Sequence, residues 1–194
     1  KFRYSTINVE KELLQFAEKM GRVSGILEGL PEPARQEMIV EIILAEAIKT
    51  SAIEGEYPDR KDVLSSIRKN LGLLTSPAFI KDRSAAGLGE LMIDVRHSFA
   101  EKLTEEKLFT WHRLLLSGNT GIAAGVWRTH EEPMQVVSGA LGKEKVHFEA
   151  PPSSLVPAAM KAFIQWFNDT APGGPQEINK APIRAAIAHL YFES

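Results

Sequence analysis

The sequence has no cysteine among its 194 residues, which excludes a disulfide framework and any thiolate metal site. No apolar run reaches the roughly 20 residues needed to cross a bilayer, and no signal-peptide pattern opens the chain. No membrane partner is therefore expected, and a cytoplasmic location is. The formal net charge is only −2, with no basic stripe interleaved with aromatics, so no nucleic-acid partner is indicated. Internal repeats and low-complexity tracts are also missing. With 44% hydrophobic and 25% charged residues, the composition suits an ordinary globular protein of one domain or two small ones. The chain opens on Lys1 rather than Met, and helical spacing through Ile183, Ile187, Leu190 and Tyr191 runs almost to Ser194. It is expected to be part of a longer protein.

Complete catalytic constellations are missing too. His97, His112, His130, His147 and His189 lack the H-E-x-x-H spacing of a zinc site, so structural or surface roles are expected and no metal site is assigned. Gly139-Ala140-Leu141-Gly142-Lys143 lacks the glycine spacing and the following Ser/Thr of a phosphate loop. Gly21 to Gly25 falls within a helical pattern, and no G-x-S-x-G elbow is present.

What the sequence does have is helical periodicity. Leu13, Phe16, Ala17, Met20 and Leu27 predict an amphipathic helix that starts after Asn8 and stops around Gly29, before Pro31 and Pro33. Met38 to Ile48 is apolar almost all round and predicts a buried helix that ends at Glu54. Asp59 is placed to cap a short helix carrying Val63, Leu64 and Ile67, with a stop at Leu71-Gly72. Ser76-Pro77 is read as opening a helix that buries Leu88, Met92, Val95 and Phe99. Thr104 caps the next, which is expected to bury Leu108, Trp111 and Leu115. Between Gly118 and Pro152 the helical period vanishes. Gln135-Val136-Val137 and Lys145-Val146-His147-Phe148 predict two short strands around a glycine-bearing turn. Leu155 to Phe167 and the stretch from Pro182 predict two further helices, separated by the Gly173-Gly174-Pro175 loop. The fold class is mainly α, a helical bundle with one β-hairpin. A lone hairpin is marginal in water, so it is either clamped by the helices or offers a strand edge to another peptide.

The most informative run is Thr50-Ser51-Ala52-Ile53-Glu54-Gly55-Glu56. Gly55 fits the position just past a helix end, where a left-handed backbone is easiest for glycine. Glu54 then sits at a C-terminus, where the helix dipole disfavours an anion. Either its carboxylate has a partner elsewhere or it is a solvated last-turn residue.

Thr50, Ser51, Glu54 and Gly55 resemble the inhibitory pattern Ser/Thr-x-x-x-Glu-Gly/Asn of the Fic (filamentation induced by cAMP) family, in the group whose inhibitory helix precedes the catalytic core. Gly125-Val126-Trp127-Arg128, the hairpin through Phe148 and Pro151-Pro152 are similar to that family's flap region. Ala188-His189-Leu190-Tyr191-Phe192-Glu193-Ser194 resembles the helix leading into its signature loop. Four segments in the same order cover nearly the whole chain.

The resemblance implies a Fic-like bundle: an N-terminal helical region, 1–75, with the inhibitory helix at about 34–54, and the first part of a Fic core, 76–194, with its flap at about 134–149. It implies that the parent protein transfers AMP from ATP to a Ser, Thr or Tyr hydroxyl of a target protein, using ATP and Mg²⁺, with a homo-oligomer possible. The signature His-Pro-Phe-x-Asp/Glu-Gly-Asn-Gly-Arg would follow Ser194. This chain thus holds no catalytic residue of that scheme and is expected to be inactive alone. Its regulatory residues are Thr50, Ser51, Glu54 and Gly55. Its target-docking residues are Gln135, Val136, Val137, Ser138, Val146, His147 and Phe148. In the family, the inhibitory Glu bonds an Arg of the signature loop and keeps the γ-phosphate from seating. A carboxylate and a phosphate oxygen about 4 Å apart repel by roughly 4 kcal/mol at an effective dielectric near 20. A Fic-type de-AMPylase, another phosphate-group transferase and a non-enzymatic helical interaction module are the alternatives.

Overall fold

The computed structural model describes residues 3–74, 79–140 and 142–193. These are mainly helical, with a single two-stranded antiparallel hairpin among the described residues. In chain order the elements are α1 (Glu10–Gly29, after a 3-10 turn at Ile7–Val9), α2 (Glu32–Ile53), α3 (Arg60–Asn70), α4 (Arg83–Ser98) and α5 (Glu105–Leu115). Then come β1 (Gln135–Ser138), β2 (Lys145–Glu149), α6 (Val156–Asp169, after a 3-10 turn at Ser153–Leu155) and α7 (Ala181–Glu193). The chain condenses into two compact units: residues 3–101 with 108–125, and residues 102–107 with 126–193.

The first unit is built on α2, α3 and α4. Val40, Ile43, Leu44 and Ala47 of α2 meet Val63 and Ile67 of α3 and Ala85 and Ile93 of α4. Each fully buried Val, Leu or Ile contributes roughly 1.5–3 kcal/mol. Local signals set where the helices begin. Asp59 caps α3, its carboxylate accepting the N–H groups of Lys61 at 2.9 Å and Asp62 at 3.0 Å. The Asp62 carboxylate accepts the N–H groups of Lys81 at 3.0 Å and Asp82 at 2.8 Å, tying the entry to α4 to the start of α3. α3 and α4 then pack very closely. A Cβ on Gly89 would lie 2.6 Å from the Ser66 Cβ, and the buried Ser66 hydroxyl donates to the Ala86 carbonyl at 2.6 Å.

Three expectations need correction here. α2 is buried on one face only, leaving Met38 and Ile42 exposed, because α3 and α4 cover a single side of it. Ser76-Pro77 lies outside the described residues, but residues 79–82 are not helical. α4 begins at Arg83, with Asp82 as its cap, the carboxylate accepting the Ser84 N–H at 2.8 Å. Its buried stripe is Ala85, Gly89 and Ile93, the first two small enough for the close approach of α3; Leu88 and Met92 are half-buried, and Val95 and Phe99 are exposed. On α5, Thr104 does cap, accepting the Lys107 N–H at 3.1 Å. Trp111 is half-buried and donates from Nε1 to Asp94 at 2.6 Å. Leu108 is half-buried, whereas Leu115, the terminal residue of α5, is exposed.

The second unit centres on Phe163 of α6, ringed by Trp166, Phe167, Tyr191 and Phe192 with centroids 5.4–6.2 Å away. Asn168 holds the segment before α5 in a two-way bond, accepting the Leu103 N–H at 2.8 Å and donating to its carbonyl at 2.9 Å. Arg184 of α7 closes the end of α6. It donates to the Phe167 carbonyl at 2.7 Å and lies 4.1 Å above that ring, where burial lowers its pKa.

Candidate functional site

The Glu54 turn is built by backbone chemistry alone. α2 ends at Ile53, Glu54 is the cap residue, and Gly55 adopts φ +80°. The Glu56 N–H donates to the Ser51 carbonyl at 2.9 Å and the Gly55 N–H to Ala52 at 3.2 Å. That pair of bonds is a Schellman motif, which satisfies two carbonyls the helix end leaves open. The Glu54 position is thus fixed without its side chain. The carboxylate is exposed and makes no hydrogen bond or ion pair among the described residues. Ile53 and Tyr57, each 82% exposed, flank it. Of the other motif residues, Thr50 donates from its hydroxyl to Glu46 at 3.3 Å, and Ser51 is half-buried.

The hairpin pairs Gln135 with Glu149, Val136 with Phe148, Val137 with Val146 and Ser138 with Lys145. The register shifts between Val136 and Val137, so His147 is the extra residue of a bulge. Its ring Nε2 lies 2.6 Å from the Ser138 hydroxyl, and Gln135 donates to the Glu149 carboxylate at 2.6 Å. Every residue of both strands is exposed. At the base the ribbon is fastened. Arg128 donates to the Pro151 carbonyl and, at 3.0 Å, to the Ser153 hydroxyl, which in turn donates to the His130 carbonyl at 2.6 Å. At the tip, the Gly142 N–H donates to Glu144 at 2.7 Å, and this bond holds the Glu144 carboxyl below its ordinary value of 4.5. The hairpin is therefore clamped at one end and open along both strands.

The Arg128–Ser153 fastening was not singled out as such from the sequence, since its partners lie 25 residues apart. A cleft of about 760 Å³ in the first unit was not foreseen either; it is lined by Ile39, Ile42, Leu73, Met92, Val95 and Arg96, among others. Its only sequence signal is the surplus of isoleucine on α2 beyond the core face. His112 has a structural role, its Nδ1 accepting the Gly125 N–H at 3.0 Å. No group of three His, Asp or Glu side chains is placed to hold a metal ion among the described residues. No described helix is long and apolar enough to cross a membrane.

No curated protein matches the chain. Residues 1–73, which span α1, α2, α3 and the Glu54 turn, match the family model of a domain of unknown function (DUF4172).

Proposed function

We propose that this chain is the regulatory and target-docking part of a Fic-type protein adenylyltransferase. Region 1–75 supplies the inhibitory helix and region 76–194 the start of the core with its flap. The observation that carries the reading is Glu54, whose backbone is fixed by the helix-end bonds while its exposed carboxylate has no partner among the described residues. The helix dipole disfavours that arrangement unless a cation faces it. In this reading the cation is the signature-loop Arg of the complete protein, which also supplies the general base and the sites for Mg²⁺ and ATP. A bidentate Arg–carboxylate bond satisfies Glu54 and withholds the Arg from the γ-phosphate. The flap lays the target beside β1 or β2, and strand addition draws its affinity from main-chain bonds. An attacking Ser, Thr or Tyr hydroxyl then needs only alignment with the α-phosphorus and a base.

The test uses the complete protein and labelled ATP. Glu54→Gly and Glu54→Ala are both expected to raise AMP transfer, since alanine keeps helix propensity while losing the carboxylate. Transfer at the wild-type level in both variants, with the fold intact by circular dichroism, overturns the inhibitory role. In the same assay Val136→Pro, which removes one strand donor, lowers target modification and leaves ATP binding unchanged. Equal loss of ATP binding assigns the hairpin a structural role instead. A non-enzymatic interaction module is the second reading, favoured by the full exposure of both strands. It forecasts partner capture by the hairpin with no nucleotide dependence.

A further inference from the structure

The cleft of about 760 Å³ beside α2 has no part in the regulatory reading, and its lining falls wholly within the first unit. One wall is a single face of α2: Glu32, Gln36, Ile39, Ile43 and Glu46 follow at steps of four, three, four and three residues. That row is about 21 Å long. Met92, Val95, Arg96 and His97 of α4 line the cleft together with Leu71 and Leu73 from the segment after α3. α2 runs against α3, as the ion pairs of Glu41 with Arg60 at 2.9 Å and of Glu37 with Arg68 at 2.6 Å show, and α4 starts beside the start of α3. The last turn of α4 therefore stands at the Glu32 end of the cleft, and Glu46 marks the other. Between them the lining is apolar.

The charges of the lining are not equally satisfied. Arg35 and Gln36 both donate to the Glu32 carboxylate, and the Thr50 hydroxyl donates to Glu46 at 3.3 Å. Arg96 and His97 make no hydrogen bond or ion pair among the described residues, and the dipole of α4 favours cations in that last turn. We infer that the cleft binds one single-chain carboxylate of the fatty-acid class, its tail along Ile39, Ile43 and Met92 and its head on Arg96. The volume lies within the roughly 300–1,000 Å³ of small-molecule sites, and the lining has their composition, apolar with a few polar groups. The tail gains affinity from each methylene it takes out of water, and the Arg96 fork matches a carboxylate in a bidentate bond. A cationic head finds only Glu46, whose carboxylate already has the Thr50 hydroxyl, and like charge at the other end. The inference depends on no part of the enzymatic reading.

The test is isothermal titration calorimetry of the whole chain with octanoate, decanoate and dodecanoate, each below its micelle concentration. One molecule is expected to bind per chain, and each added methylene tightens binding about fourfold. Arg96→Gln, at an exposed position, is expected to weaken decanoate on the order of tenfold and to leave decanol unchanged. Ile42→Ser, at a lining residue that is 44% exposed, weakens both ligands, and Arg83→Gln at the far end of α4 weakens neither. Absence of saturable binding by all three acids overturns the inference. So does equal affinity for decyltrimethylammonium, or a decanoate affinity that either Arg96→Gln or Ile42→Ser leaves at the wild-type value.

Discussion

Gly89 and Ser66 stand where two helices come nearer than any larger pair of side chains allows. Gly89→Ala places a methyl 2.6 Å from the Ser66 Cβ, so either α4 moves away or Ser66 leaves its rotamer. The expected loss is about 2 kcal/mol, the ordinary cost of overpacking. Ser66→Ala gives up one hydrogen bond to the Ala86 carbonyl and costs about 1 kcal/mol. Urea unfolding of both variants checks the order, and a Gly89→Ala protein as stable as wild type removes the close-packing argument. Gly55 shows the opposite kind of glycine. Its φ of +80° is a local backbone matter, which is why the turn at Glu54 is legible in seven consecutive letters. It also gives a physical reason for Gly or Asn at that place in the family pattern the run resembles, since both tolerate the left-handed region. Nothing within seven letters of Gly89 says that α3 passes over it.

Among the elements, the hairpin tip is expected to respond to pH, with a sign set by backbone N–H groups, first that of Gly142 and then that of Glu144 itself, that favour the Glu144 carboxylate. The Gly142 N–H lowers the Glu144 pKa in the folded chain. The contribution of Glu144 to tip order is therefore fully present above the ordinary carboxyl value of 4.5 and is lost as pH falls through the lowered one. The Gly142 amide shift, followed by NMR from neutral pH downward, should move below pH 4.5 in the wild type and stay flat in Glu144→Gln. The same titration in both proteins removes Glu144 as its cause. α4 shows what periodicity can and cannot provide. The helix itself is visible in Leu88, Met92, Val95 and Phe99, but the buried face is not. Large apolar residues mark a stripe only where the neighbour stands off by a full side chain. Here the neighbour stands closer, Ala85 and Gly89 take the inside, and Phe99 is left 82% exposed.

For the molecule as a whole, the mainly helical class and the single hairpin could be read from the change of period at Gly118 and its return at Leu155, because both periods are local properties of the chain. The candidate site was legible to the same depth. The position of Glu54 and the strands of the hairpin follow from neighbouring residues, whereas the Arg128 fastening and the cleft beside α2 require segments far apart in sequence to meet. That distinction carries over to folding. The connection between α3 and α4 is 12 residues long, and because closure entropy grows only slowly with loop length these helices can still pair early. Their junction should then be formed in the folding transition state: Ile67→Val and Ala85→Gly slow refolding in stopped-flow measurements, with φ-values above about 0.5. Phe163→Leu, in the other unit, provides the contrast, with its effect mainly on unfolding. Values near zero at Ile67 and Ala85 place the nucleus elsewhere.

The bulge at His147 has a consequence for manufacture by evolution or by hand. A regular two-stranded ribbon with both edges bare invites like chains to stack on it without limit. One surplus residue in β2 breaks the repeat after two pairs and twists the ribbon, so the edge resists endless stacking. Deleting His147 would straighten the ribbon and convert an interrupted edge into a sticky one, visible as thioflavin-positive fibres where the natural chain is expected to give none.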